Sequence, residues 1–325
     1  MKTIGLVASN NGLGHARRLL YISSGFLKIG QRIKLFISRD QRIKLRTELL
    51  KMNLNLSLIE IESYGIDGPV WFKQGRPVQE PPLDVAAEIA GCDFIISDNL
   101  TWPFDYNNNL ALFGHFTWHD YWEKTKTFEF LKSLEIFEKD YENLRNIPLA
   151  FQISDFLLEP RVFGKNTTIK LPRYYWDTLA GKNKNENMDI WLSQGTTNLF
   201  DKSAFNLNLF KEYGISERET YELAESTGKP RLVIGRPGLG TIRDCIATGI
   251  PFLPVWDKMD PELNSNVNHL VKLGLLPHNL LVEANLKDKI DNFLEQQVVL
   301  ETWKNKWPSM SDDVEDICRT ILSNF

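Results

Sequence analysis

Apolar residues in this chain fall into two alternating patterns. Short continuous runs give way to longer stretches in which apolar positions recur every three or four residues. The first run, residues 2–9, predicts a strand buried on both faces, because such a strand has no polar side. It breaks at Asn10-Asn11-Gly12-Leu13-Gly14-His15. Residues 16–29 then carry Leu19, Leu20, Ile22, Phe26 and Leu27 at helical spacing, with Gly30 as the stop. The alternation continues with strands at 33–37, 56–61, 94–96, 110–116 and 149–153, and helices at 42–52, 83–90 and 128–144. Strands and helices alternating at this pitch predict a parallel α/β sheet. Residues 64–82, rich in Gly, Pro and aromatic residues, read as a long loop of the kind that often serves function.

The pattern changes around 158–187, which holds Pro160, Pro172 and a polar run over 181–187. A linker is placed near 155–170, dividing the chain into domains 1–160 and 161–325. The second domain opens on a strand at 189–193 and the turn Gln194-Gly195-Thr196-Thr197-Asn198. Helices are expected at 202–212 and 216–227, a strand at 232–234, another at 252–256, and a helix at 261–273 closed by Gly274. A helical tail covers 286–325, interrupted at Pro308.

Composition narrows the function classes. The net charge of −4 lacks the basic excess of a nucleic-acid binder. Cys92, Cys245 and Cys318 are far apart and form no CxxC pair, which points to a reducing compartment and no zinc site. The first apolar run is too short for a signal peptide or a membrane span, so a cytoplasmic protein is expected. Residues 28–51 are rich in Lys and Arg, with Asp40 and Glu48 as the only acids. That reads either as a solvated face or as a peripheral contact with an anionic lipid surface.

Candidate chemistry centres on Gly235-Arg236-Pro237-Gly238-Leu239-Gly240-Thr241-Ile242-Arg243-Asp244, between two apolar runs. Glycines let a backbone come close to a ligand. A helix starting in this loop would aim free N–H groups and its positive dipole end at an anion. Arg236 in the loop and Asp244 about one turn past it suit a diphosphate followed by a ribose. The alternative is an ordinary strand–turn–helix. Trp102, Phe104, His115, Trp118, His119 and Trp122 gather near the ends of neighbouring elements, where they either stack on sugar rings or pack the core. His115 and His119 are four apart, which suits a metal only on a helix, and the apolar strand before them argues otherwise. No metal ligand set is assigned, and no Asp-x-Asp motif is present.

The order of these motifs resembles that of GT-B glycosyltransferases. Gly12-Leu13-Gly14-His15 with Arg17-Arg18 looks like their opening, and 235–244 looks like their nucleotide-sugar motif. Gly249-Ile250-Pro251 and Asp260-Pro261-Glu262-Leu263-Asn264-Ser265-Asn266 follow in the expected places. The Gly-x-Gly-His-x-x-Arg opening is also similar to that of a UDP-sugar hydrolase of pseudaminic acid synthesis. The resemblance implies two Rossmann-like domains facing across a cleft. It implies transfer of a sugar from a nucleotide diphosphate sugar, a UDP-sugar above all, to a carbohydrate, lipid-linked or small-molecule hydroxyl acceptor. No cofactor is implied.

By the same resemblance His15 is the general base and Asp98 orients it. The bare alternatives are a helix-capping histidine and an Asx turn. Gly195, Thr196, Thr197, Arg236, Gly238, Gly240, Thr241, Asp244, Glu262 and Asn266 are implied on the donor side. Gly14, Trp102, Trp118 and His119 are expected on the acceptor side. Three departures stand out. Arg236 replaces a histidine, Asp244 replaces a glutamate, and the C-terminal domain is shortened between Gly195 and Arg231. Two other readings stay open: a nucleotide-sugar hydrolase, and a non-catalytic nucleotide-sugar-binding subunit of a glycosyltransferase complex.

Overall fold

The computed structural model describes residues 1–62, 64, 66–67, 80–125, 134–153, 167–171, 185–186, 189–193, 211–218, 228–278, 285–305 and 314–325. The chain divides into two compact units, residues 1–173 with 312–325, and residues 174–311.

In the first unit, β1 (Thr3–Val7), β2 (Arg32–Ile37), β3 (Ser57–Glu60), β4 (Phe94–Ser97), β5 (Leu110–Gly114), β6 (Leu149–Gln152) and β7 (Thr167–Lys170) form one sheet. Its order is β3-β2-β1-β4-β5-β6-β7, with every neighbouring pair parallel. The order reverses direction between β1 and β4, whose C-terminal ends therefore border the crevice where open sheets of this kind bind ligands. β4 is buried along its whole length, and β1 from its second residue on, in keeping with the apolar runs at 4–7 and 94–96. Helices α1 (Leu13–Lys28), α2 (Arg39–Lys44), α3 (Arg46–Met52), α4 (Leu83–Ala90), α5 (Trp118–Glu123) and α6 (Glu135–Asn146) connect the strands.

The second unit contains β8 (Asn185–Glu186), β9 (Ile190–Ser193), β10 (Ile215–Glu217), β11 (Gly228–Lys229), β12 (Leu232–Gly235) and β13 (Phe252–Pro254). Four of them make a parallel sheet ordered β10-β9-β12-β13, and β8 pairs with β11. Its helices are α7 (Leu239–Thr248), α8 (Pro261–Lys272), α9 (Leu286–Glu295) and α10 (Gln297–Asn305). Gly235 permits the close approach of β12 to β9, since a Cβ there would lie 2.4 Å from the Ser193 carbonyl oxygen.

Several expectations change. The helix expected over 42–52 starts at Arg39 and is two helices, because Ser38 and Gln41 close a capping box before α2. The expected linker near 155–170 contains β7, which pairs with β6. Residues 216 and 217, expected as the start of the helix 216–227, pair with β9 as part of strand 215–217. The helical tail does not stay with the second unit. Its last helix, α11 (Val314–Leu322), buries Val314, Ile317, Cys318 and Ile321 in the first unit. It packs on α1 at Gly25, where a Cβ would lie 2.7 Å from Cys318 Sγ and 2.8 Å from the Val314 carbonyl. Phe325 then stacks on Phe94 of β4 at 4.0 Å. Gly195, Thr196 and Thr197 lie outside the described residues.

Candidate active site

The loop between β1 and α1 is held on two sides. Gln41 donates from Nε2 to the carbonyls of Ser9 (2.8 Å) and Gly12 (2.7 Å). From the other side Asp67 accepts from Ser9 Oγ (2.5 Å) and from the Asn10 amide (3.0 Å). Gly12 has φ 103°, a backbone conformation that favours glycine. Helix α1 starts after it with no side-chain cap and no acid in its first turn. The first-turn N–H groups have no intrahelical partner, so this end favours negative charge. Among the described residues, no heavy atom outside its own helical turn lies within 4 Å of where a Cβ on Gly14 would sit.

The first turn of α1 brings His15 to Asp98, the residue after β4. His15 Nδ1 is 3.0 Å from Asp98 Oδ1. Asp98 is extended from the sheet by its own amide, which donates to the Val7 carbonyl at 2.8 Å. Arg18, one turn along α1, donates from Nε to Asp98 Oδ2 and from Nη2 to Oδ1. His15, Arg18 and Asp98 are 6%, 4% and 0% exposed, so water screens this cluster little. Burial alone would push the Asp98 carboxyl up. The adjacent Arg18 guanidinium and His15 outweigh it and hold the group below the usual carboxylate range.

Two further buried acids stand nearby in the first unit, and neither was a candidate on sequence grounds. Asp67 comes from the expected long loop and is pushed up to about 6 by burial, with Ser9 and Asn10 pulling the other way. Asp140 on α6 is pushed up to about 7, again by burial, against the Thr101 hydroxyl that donates to it. Asp67 had no sequence signal. Gln41 had one: the Ser38-x-x-Gln41 spacing is a capping-box signature.

The expected acceptor-side aromatics are part of the core. Trp102 meets Tyr64 edge-on at 5.1 Å, and Trp118 meets Phe116 at 4.8 Å. His119 lies between Phe137 (4.4 Å) and Tyr141 (4.6 Å), and burial lowers its basicity. Trp102 Nε1, Trp118 Nε1 and His119 Nδ1 have no hydrogen-bond partner among the described residues. His119 is on α5, whereas His115 follows β5 before that helix starts, so the two do not share a helix.

The second unit repeats the strand–loop–helix plan at 232–248. The Gly238 amide donates to the Arg236 carbonyl at 2.8 Å, which tightens the turn. Helix α7 starts at Leu239 with no side-chain cap and no acid in its first turn, and Gly240 and Thr241 are half-buried there. A Cβ on Gly238 would again meet nothing within 4 Å among the described residues. Arg236 Nη2 lies 3.4 Å from Asp260 Oδ2. Asp260 caps α8 by accepting from the Leu263 amide at 3.1 Å. Burial pushes the Asp260 carboxyl up, Glu262 adds to this, and Arg236 opposes it. Asn266 donates from Nδ2 to the Pro237 carbonyl at 2.9 Å, tying α8 to the loop. Asp244 is wholly buried on α7, and Glu262 is 8% exposed.

No group of three His, Cys, Asp or Glu side chains among the described residues could hold a metal ion. Among the same residues no helix is long and apolar enough to cross a membrane.

No family model matches the chain, and no curated protein matches it in sequence. Solved structures do match in fold. UGT2 of Phytolacca americana, complexed with UDP-2fluoro-glucose and pterostilbene, superposes with a TM-score of 0.65 at 12% identity, covering 100% of this chain and 99% of that one. The calicheamicin glycosyltransferase CalG4 gives 0.59 at 13% identity, over 99% and 94% of the two chains. The Streptomyces sp. SF2575 glycosyltransferase SsfS6, complexed with thymidine diphosphate, gives 0.53 at 11%, over 99% and 100%. The switch point at β1/β4, the second parallel sheet and these full-length superpositions establish the fold: this chain has the α/β architecture of the GT-B glycosyltransferases.

Proposed function

We propose that this chain is a glycosyltransferase that moves a sugar from a nucleotide diphosphate sugar, a UDP-sugar above all, to a hydroxyl acceptor. The observation that supports this most is the buried His15–Asp98 pair, 3.0 Å apart at the switch point of the first sheet. In the reactive form the imidazole carries its proton on Nδ1, donates it to Asp98 Oδ1, and offers Nε2 as a base. Nε2 takes the acceptor's hydroxyl proton while that oxygen bonds to the anomeric carbon. The bond from the anomeric carbon to the diphosphate oxygen breaks, and the nucleoside diphosphate leaves with the electron pair.

The second unit supplies the anion grip in this reading. Arg236 gives up its contact with Asp260 for the diphosphate, aided by the first-turn amides of α7. Asp244 serves the ribose and Glu262 the sugar. Asn266 fixes the loop through Pro237 and keeps its carbonyl oxygen for the donor. Gly14 leaves room for the acceptor, with Trp102, Trp118 and His119 as the aromatic support behind it.

The test is incubation of the purified protein with UDP-sugars, with and without hydroxyl acceptors. Transfer should require acceptor, and His15→Ala should keep donor binding while lowering turnover by about a hundredfold or more. Unchanged turnover in that variant would remove His15 as the base. Hydrolysis is the second reading, favoured by Arg18 sitting on the same carboxylate within the Gly-x-Gly-His-x-x-Arg opening. Release of free sugar without acceptor would select it. Nucleotide binding without turnover on any acceptor would select a non-catalytic subunit.

A further inference from the structure

The His15–Asp98 pair is a trio. Arg18 Nη2 lies 2.5 Å from Asp98 Oδ1 and 2.6 Å from His15 Nδ1, while Nδ1 itself is 3.0 Å from Oδ1. A guanidinium has only donors and keeps its protons inside proteins. A proton on Nδ1 would therefore sit beside an N–H of Arg18. A lone pair on Nδ1 would instead accept from that N–H, and the contact to Arg18 is the shorter of the two that Nδ1 makes. Burial of all three side chains leaves little room for water to relieve the conflict.

We propose that Arg18 is a positioning residue that holds His15 in its Nε2–H form in the ligand-free protein. Arg18 is bound to Asp98 through two N–H groups, so it is anchored while it occupies Nδ1. In that form Nε2 is a hydrogen-bond donor. It becomes a base only after Nε2 has given its proton to solvent water and Nδ1 has taken one from solvent water, with no net gain of protons by the ring. Nη2 must leave Nδ1 for this, while Nε–H can stay on Oδ2. The arginine thus makes the base conditional, where a histidine–aspartate pair alone would hold the reactive tautomer at all times.

The catalytic consequence rests on the proposed role of His15 as base; the tautomer itself does not. The measurement is a long-range proton–nitrogen NMR correlation on ligand-free protein labelled with 15N-histidine. The His15 signals are identified by their loss in His15→Gln. The expected result is an Nε2–H pattern in the unaltered protein and an Nδ1–H pattern in Arg18→Met, where Asp98 is the remaining partner of Nδ1. An Nδ1–H pattern in the unaltered protein, or an Nε2–H pattern that survives Arg18→Met, overturns the proposal. Should Arg18→Met fail to fold, Arg18→Lys keeps a charge beside Asp98 but has no fork to cover Nδ1. It should gain the Nδ1–H form, and an unchanged spectrum overturns the proposal equally. Turnover of His15→Ala decides separately whether His15 is the base, so the two readings fail independently.

Discussion

The two glycine loops are built alike and charged differently. Each follows a buried parallel strand and leads into a helix with no side-chain cap and no acid in its first turn. Among the described residues each leaves space beside a glycine, Gly14 in the first unit and Gly238 in the second. In the first unit the charges are turned inward, where Arg18 and Asp98 neutralise each other behind His15. In the second, the Arg236 side chain stays 15% exposed and meets Asp260 at 3.4 Å, a loose contact for an ion pair. Strand, glycine turn and helix make a general seat for a ligand. On the proposed reading, the charges behind that seat would decide whether it handles a proton or an anion.

That contrast can be broken in three places. The largest effect should come from Asp98→Ala, which leaves a guanidinium buried without its carboxylate. Stability should fall by about 3–5 kcal/mol in urea unfolding. A loss below about 1 kcal/mol would mean that the inward charges do not organise the first loop. Next comes Arg236→Ala, which should weaken UDP binding by about 2–3 kcal/mol, roughly 30- to 150-fold by calorimetry. An unaltered affinity would remove the anion-binding half of the comparison.

The smallest effect concerns Asp140, whose carboxyl is pushed up to about 7 by burial. The fold favours its protonated form. The stability this contributes is complete below about pH 4, where the unfolded chain is also protonated, and is lost as pH rises through about 7. Asp140→Asn should remove that loss and flatten the melting temperature between pH 4 and 8. Parallel curves for the two proteins would show that the buried acids of this unit do not carry its pH response.

Much of the first sheet was legible because a strand covered on both faces is a continuous apolar run, as residues 94–96 are. β7 was not, since Thr167-Thr168-Ile169-Lys170 is an edge strand with one apolar residue, held by backbone pairing to β6. β10 was hidden in the same way, as three edge residues before a segment of helical character. The apolar stripe of α11 does not name its partner on paper; the gap at Gly25 and the face of Phe94 receive it in the first unit. At the site, His15 and Arg236 stood out by residue type and motif. The partners that set the chemistry of His15 were less legible: Asp67 came from a loop with no motif, and Arg18, three residues along the same helix, belonged to the opening motif without any sign that it grips Asp98.

The return of α11 to the first unit also has a consequence in time. A ribosome makes α1 early and residues 314–325 only after the whole second unit has been synthesised. Until then the groove at Gly25 and the face of Phe94 lack their cover. Vectorial folding can raise the first sheet, but it cannot close that layer, so the nascent first unit must wait with apolar surface exposed, a state in which chaperones bind and chains associate.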